Sequence, residues 1–198
     1  MPAPTHPCPH TETLANGLRV TLRHVPGLKR SAAALRVAAG SHDVPLAWPG
    51  LAHFLEHLLF LGTERFPADE GLMAYVQRHG GQVNASTGER TTDFFFELPT
   101  RSFSKGLERL SDMLAHPRMN LDDQQREREV LHAEFVAWSQ DPAAQQQLAL
   151  FEGLSERHPL RGFHAGNRDS LPLEQPEFQQ ALQDFHQRYY QTGQMTLS

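Results

Sequence analysis

The stretch Pro49-Gly50-Leu51-Ala52-His53-Phe54-Leu55-Glu56-His57-Leu58-Leu59-Phe60-Leu61-Gly62 decides how the rest of the chain is read. Pro49 fits the first turn of a helix, where its missing N–H costs nothing, and Gly62 fits the left-handed position just past the end. Between Leu51 and Leu61 every residue is apolar except His53, Glu56 and His57, so this helix should be buried nearly all round. A carboxylate in that setting must find a proton, a partner or a metal. His53 and His57 are four apart and stack one turn above the other, with Glu56 beside them. Two imidazoles so placed can bind one ion, and the H-x-x-E-H pattern points to zinc. A pair of core histidines with a buried glutamate partner is the competing reading; the buried, capped helix favours the metal.

A catalytic zinc usually takes three protein ligands, so a further donor is needed. A helix capped by Asn120 or Asp122 should run to about Gln140, because Asp141 precedes Pro142 and is pushed out of the helical region. It carries Glu127, Glu129 and Glu134, any of which is by default a solvated surface carboxylate. Glu127 and Glu134 are two turns apart on one face, about 10.5 Å along the axis, so one can bind while the other supports.

With 198 residues and 39% hydrophobic content the chain can bury a core. A net charge of −5 and the lack of a basic stretch argue against nucleic acid, and no apolar run approaches a membrane span. Cys8 is the single cysteine, which suits a reducing compartment. Met1 to Asn16 lacks the apolar core of a secretory signal. A cytoplasmic location is therefore expected, or a bacterial periplasm if a signal was removed. His6-Pro7-Cys8-Pro9-His10 holds potential ligands, but its prolines keep it extended and it reads as a terminal tail.

The flanking sequence predicts an α+β domain. Strands are expected at Thr11–Leu14 and Leu18–Arg23 around Asn16-Gly17, at Ser31–Ala39, at Gln82–Thr87 and at Thr91–Leu98. The polar Gln82–Thr87 suits an exposed edge, whereas the run Phe94-Phe95-Phe96 should lie deeper in the sheet. Helices are expected at Asp69–His79, Phe103–Ala115, Ala143–Leu154 and Glu174–Gln191, with residues 155–171 irregular. Met195-Thr196-Leu197 opens a strand, and we expect residues 1–198 to form one domain, the first part of a longer polypeptide.

The chain resembles the N-terminal catalytic domain of the pitrilysin/insulysin family of zinc peptidases, the group with the inverted motif. The likeness rests on His53, Glu56 and His57, on Glu134 at 77 positions downstream of His57, and on Pro49-Gly50-Leu51-Ala52-His53-Phe54 and Phe60-Leu61-Gly62-Thr63. It extends through Asn84-Ala85-Ser86-Thr87, His158-Pro159 with Gly166-Asn167, and Phe185-His186 with Tyr189-Tyr190. It implies a mostly antiparallel mixed sheet packed against several helices. It also implies His53, His57 and Glu134 as ligands of Zn2+, Glu56 as the catalytic base, and Glu127 as a carboxylate that orients a ligand histidine. The strand at Asn84 and Ala85 would receive a peptide substrate as an added strand. The C-terminal half of the same polypeptide is implied as a partner that completes the chamber. Because the family includes members that have lost the metal, a non-catalytic peptide-binding or scaffold subunit is the alternative.

Overall fold

A computed structural model describes residues 8–156 and 158–198. The terminal segment His6–His10 is therefore described only from Cys8, which is exposed; His6 and Pro7 lie outside the described residues.

Six strands form one sheet: β1 (His10–Thr13), β2 (Arg19–Leu22), β3 (Arg30–Val37), β4 (Gln82–Thr87), β5 (Thr92–Pro99) and β6 (Met195–Leu197). Their order is β1-β2-β6-β3-β5-β4, with β2 and β6 parallel and every other pair antiparallel. Six α-helices accompany it: α1 (Leu51–Leu59), α2 (Leu72–Arg78), α3 (Thr100–Ala115), α4 (Leu121–Ser139), α5 (Pro142–Glu152) and α6 (Pro176–Tyr189). The α+β class and the mixed, mostly antiparallel sheet are as the sequence predicts.

The sheet is two-faced because its strands alternate. Ala33, Leu35 and Val37 of β3 and Thr92, Phe94, Phe96 and Leu98 of β5 are buried, and they pack into a core shared with α1, α3 and α6. The opposite face carries Ala32, Ala34 and Arg36, and there Arg36 clasps Asp93 directly across the β3–β5 ladder at 2.7 and 2.9 Å. The phenylalanine run splits accordingly. Phe94 and Phe96 are buried, but Phe95 is 37% exposed, because a period of two places it on the open face between Ala34 and Asn84. β4 occupies the edge, as its polarity predicts, and among the described residues it pairs with β5 alone.

The opening helix is shorter than its sequence suggests. Pro49 lies outside it, and Gly50 caps it in the left-handed conformation at φ 91°. The reason is a close crossing. A Cβ at position 50 would lie 2.2 Å from the Cα of Gly166, itself left-handed at φ 81° and packed on Leu131 of α4. Six apolar side chains of α1 are buried, and Phe54, Leu55, Leu58 and Leu59 are fully so. At the other end Phe60 N–H donates to the His57 carbonyl and Leu61 N–H to the Leu58 carbonyl, and Gly62 takes φ 95° in a bridge to Pro67.

Asn120, rather than Asp122, caps α4, accepting the Asp123 amide at 2.8 Å. Asp141 separates α4 from α5, accepting the Ala143 amide at 3.0 Å with Pro142 at the first helical position. Of the 19 residues of α4 only Gln124 and Leu131 are buried, with Glu127 among six that are half-buried. The face that carries Gln124, Glu127 and Leu131 continues at helical spacing to Glu134, which is exposed.

The crossing of Gly50 over Gly166 gives a stability test. Gly27 is also left-handed, at φ 83°, but a Cβ there meets nothing within 4 Å. Gly27→Ala should cost only the left-handed strain, ~1–2 kcal/mol. Gly50→Ala adds a backbone clash and should destabilise by clearly more in paired urea melts; equal losses at the two positions would show that the crossing carries no weight.

Candidate metal centre

The three polar residues of α1 converge on one place with partners from three other elements. His53 Nδ1 lies 2.7 Å from the carbonyl oxygen of Ala165, in the loop that crosses Gly50. His57 Nδ1 lies 2.8 Å from Glu127 Oε1 on α4. A carbonyl and a carboxylate can only accept, so both rings donate from Nδ1 and, when neutral, keep a bare lone pair on Nε2. Those two Nε2 atoms face each other at 3.2 Å. Two opposed lone pairs at that distance repel unless a cation or a shared proton lies between them.

Glu134 completes the group. Its Oε2 is 3.5 Å from His57 Nε2 and 4.0 Å from His53 Nε2. Among the described residues, these three form the single group of three or more His, Cys, Asp or Glu donors lying within 4.8 Å of one another. Ligands of a tetrahedral zinc, each about 2.0–2.1 Å from the ion, sit roughly 3.3–3.4 Å apart. The donor set, its spacing and its fixed tautomers thus fit zinc, with two imidazoles and one carboxylate as ligands. The exposure is graded: the side chains of His57 and Glu127 are 15% and 17% exposed, that of Glu134 54%. The His57–Glu127 pair is locked by packing, and Glu134 stands on the solvent side of the group.

The carboxylates around His57 change its proton affinity. Burial lowers its pKa, but the Glu127 hydrogen bond and the charges of Glu134, Glu127 and Glu56 outweigh burial and hold it above the ordinary histidine value. Glu56 is 7% exposed on α1. Burial pushes its pKa up, more than the Thr87 hydrogen bond and the nearby histidines pull it down. Thr87 Oγ1 donates to Glu56 Oε2 at 2.5 Å from the end of β4. Glu56 is therefore a carboxylate of raised basicity held beside the two histidines, with one oxygen engaged by a hydroxyl.

Asn84 and Ala85 lie on the free-edged strand that ends at Thr87, with Asn84 exposed and Ala85 half-buried. The edge thus runs up to the glutamate. Two contributors escape motif reading. The Ala165 carbonyl acts through the backbone and leaves no side-chain signature; its one trace in the sequence is Gly166. Thr87 is an ordinary strand residue until the fold brings it to Glu56.

Known proteins carry the same arrangement of sequence. Residues 19–160 match the family described as Insulinase (Peptidase family M16). The chain is 71% identical over 191 residues to Coenzyme PQQ synthesis protein F of Pseudomonas protegens, which covers 96% of this chain and 23% of that protein. It is 36% identical over 185 residues to Protease 3 of Escherichia coli K12, covering 92% of this chain and 19% of that protein. The crystal structure of pitrilysin superposes with a TM-score of 0.87 at 34% identity, over 96% of this chain and 20% of pitrilysin. A protease from Helicobacter pylori superposes with a TM-score of 0.85 at 25% identity, over 97% of this chain and 46% of that one. The chain spans about a quarter of the length of the Coenzyme PQQ synthesis proteins it matches. Among the described residues, no helix is long and apolar enough to cross a membrane. Matched over most of its length by the family's sequence pattern and superposing on pitrilysin, the chain belongs to the insulinase family, peptidase family M16.

Proposed function

We propose that this chain forms the N-terminal catalytic domain of a zinc metalloendopeptidase, with His53, His57 and Glu134 as ligands and Glu56 as general base. The observation that carries the reading is the pair of His53 and His57 lone pairs facing each other at 3.2 Å beside a third donor. Zinc at this donor set supplies Lewis acidity, which polarises a carbonyl and acidifies water at neutral pH. Glu56 takes the proton from water as its oxygen attacks the scissile carbonyl carbon, and delivers that proton to the amine as the C–N bond breaks. Its raised pKa suits both halves of that task. Thr87 holds one carboxylate oxygen, leaving the other for the proton. Glu127 and Ala165 orient the ligand rings. Asn84 and Ala85 on the free edge of β4 receive the peptide as an added strand, whose extended course leads toward Glu56.

The 71% identity with a protein named for coenzyme PQQ synthesis supports a narrower role, processing the precursor peptide of pyrroloquinoline quinone. A C-terminal half of the same polypeptide would then enclose the peptide opposite this domain, and the cytoplasm is the proposed compartment. A non-catalytic scaffold subunit is disfavoured by the complete set of ligands and base.

Three outcomes test the reading on the full-length protein. Glu56→Gln should retain stoichiometric zinc and lose at least ~10²-fold in kcat; hydrolysis at the native rate would remove Glu56 as base. His53→Ala should purify without stoichiometric zinc by elemental analysis. Glu127→Ala should still bind the metal, but some 10- to 100-fold more weakly in competition with a chelator. Zinc affinity should also fall with pH, approaching tenfold per unit, once the pH drops below the raised pKa of His57 and a proton competes for Nε2. The metal-free protein should behave oppositely. A histidine whose folded pKa is raised stabilises the fold fully below its unfolded value of about 6.5, and that contribution is lost as pH rises through the folded value. Parallel pH trends for the zinc-loaded and metal-free forms in thermal melts would contradict this.

A further inference from the structure

The face of α4 that carries Glu127 and Leu131 does not stop at Glu134. One turn beyond it, at the same i+4 spacing that joins Glu127 to Leu131, stands Trp138. This places Trp138 about 6 Å past Glu134 along the helix axis, on the face of α4 that also carries Glu127, Leu131 and Glu134. Trp138 is 37% exposed, whereas Leu131 on the same face is fully buried. It is also supported from behind. Phe135 lies 6.4 Å from Trp138 between ring centroids, and Phe163 meets Phe135 edge-on at 5.2 Å.

That support comes from the loop that orients His53. Phe163 packs on Phe135, the Ala165 carbonyl accepts from His53, and Gly166 seats on Leu131. Arg168 ties the same loop to α4 through its ion pair with Glu129. The aromatic cluster is therefore built on the same two elements, α4 and the 155–171 loop, that position the metal centre, and Trp138 is its solvent-exposed member.

Resting on the peptidase reading above, we propose that Trp138 is a specificity-determining residue: its indole is a platform for a bulky apolar side chain of the peptide beside the scissile bond. Trp138 stands one turn beyond Glu134 on the same face of α4, a rise of about 6 Å, and residues in a strand advance about 3.3 Å each, so an extended peptide running along this face passes the Trp138 turn within one or two residues of the ligand. An aromatic platform backed by Phe135 offers apolar area and ring stacking at little conformational cost. Glu134 supplies the ligand and Trp138 the selection, from successive turns of one helix.

The test compares two peptides that differ only at the residues flanking the scissile bond, phenylalanine or leucine in one and alanine in the other, on the full-length protein. In Trp138→Ala the kcat/KM ratio of the bulky to the small peptide should fall roughly 10- to 100-fold, with stoichiometric zinc retained. Trp138→Phe should recover most of the ratio. A ratio within twofold of wild type in Trp138→Ala, with zinc in place, overturns the proposal. A second arm measures binding of the same peptides to Glu56→Gln by calorimetry, with and without Trp138→Ala. Loss of the preference for the bulky peptide on removing the indole supports the platform even if the wild-type protein hydrolyses neither peptide, a result that would count against the peptidase reading alone. Equal preference in both backgrounds overturns it.

Discussion

Two imidazole lone pairs held 3.2 Å apart are the constraint on which the rest of this structure depends. Neither ring can turn away, because each is fixed at Nδ1 by a group that only accepts. One is a backbone carbonyl from a loop more than a hundred residues downstream, the other a carboxylate on α4. Opposed lone pairs are unfavourable in isolation, so the surrounding fold must over-determine them. It does so by burying the apolar sides of α1, by the close crossing of Gly50 and Gly166, and by Leu131 locking the loop against α4. The histidines are thereby prepared for a cation before one arrives, and little reorganisation is left to oppose binding.

How legible this was in the sequence depends on which kind of atom carries each role. His53, Glu56 and His57 announce themselves because three polar residues interrupt an otherwise apolar helix. Glu127 and Glu134 share a helix face, but spacing alone does not choose them over Glu129; in the fold, Glu129 turns outward to Arg168 while the other two meet the histidines. The sheet was legible through its alternation and its Asn-Gly turn. The phenylalanine run was legible only in part, since a consecutive triplet hides the period of two that sends Phe95 outward. Helix ends shifted for a tertiary reason: Pro49 is a good first-turn residue, yet the approach of Gly166 made Gly50 the cap. Ala165 could not be read at all, because a backbone carbonyl has no sequence identity.

The exposure gradient across the site has a functional consequence. His57 and Glu127 sit deep, where a low local dielectric strengthens their hydrogen bond, while Glu134 stands half in solvent at the mouth. A wholly enclosed donor set would hold a metal and admit nothing else. Here the inner side is closed by packing, and the outer side opens to solvent at Glu134. A peptide substrate, in the reading proposed above, would enter from this exposed side.

The proposed role of Glu56 requires a base distinct from the ligands. A carboxylate bound to the metal would have its charge neutralised and its basicity lowered, leaving it unfit to take a proton near neutral pH. Placed three residues after His53 and one before His57, Glu56 shares their helix yet reaches toward Thr87 at the end of β4. Burial then raises its proton affinity, while the neighbouring histidines and the Thr87 hydroxyl limit the rise. The opposing influences keep the group able both to accept a proton and to release it, which a fully exposed or fully buried glutamate would not do equally well. The same apolar helix that makes this carboxylate costly to bury is what tunes it, so the core packing of α1 is part of the chemistry as well as of the fold.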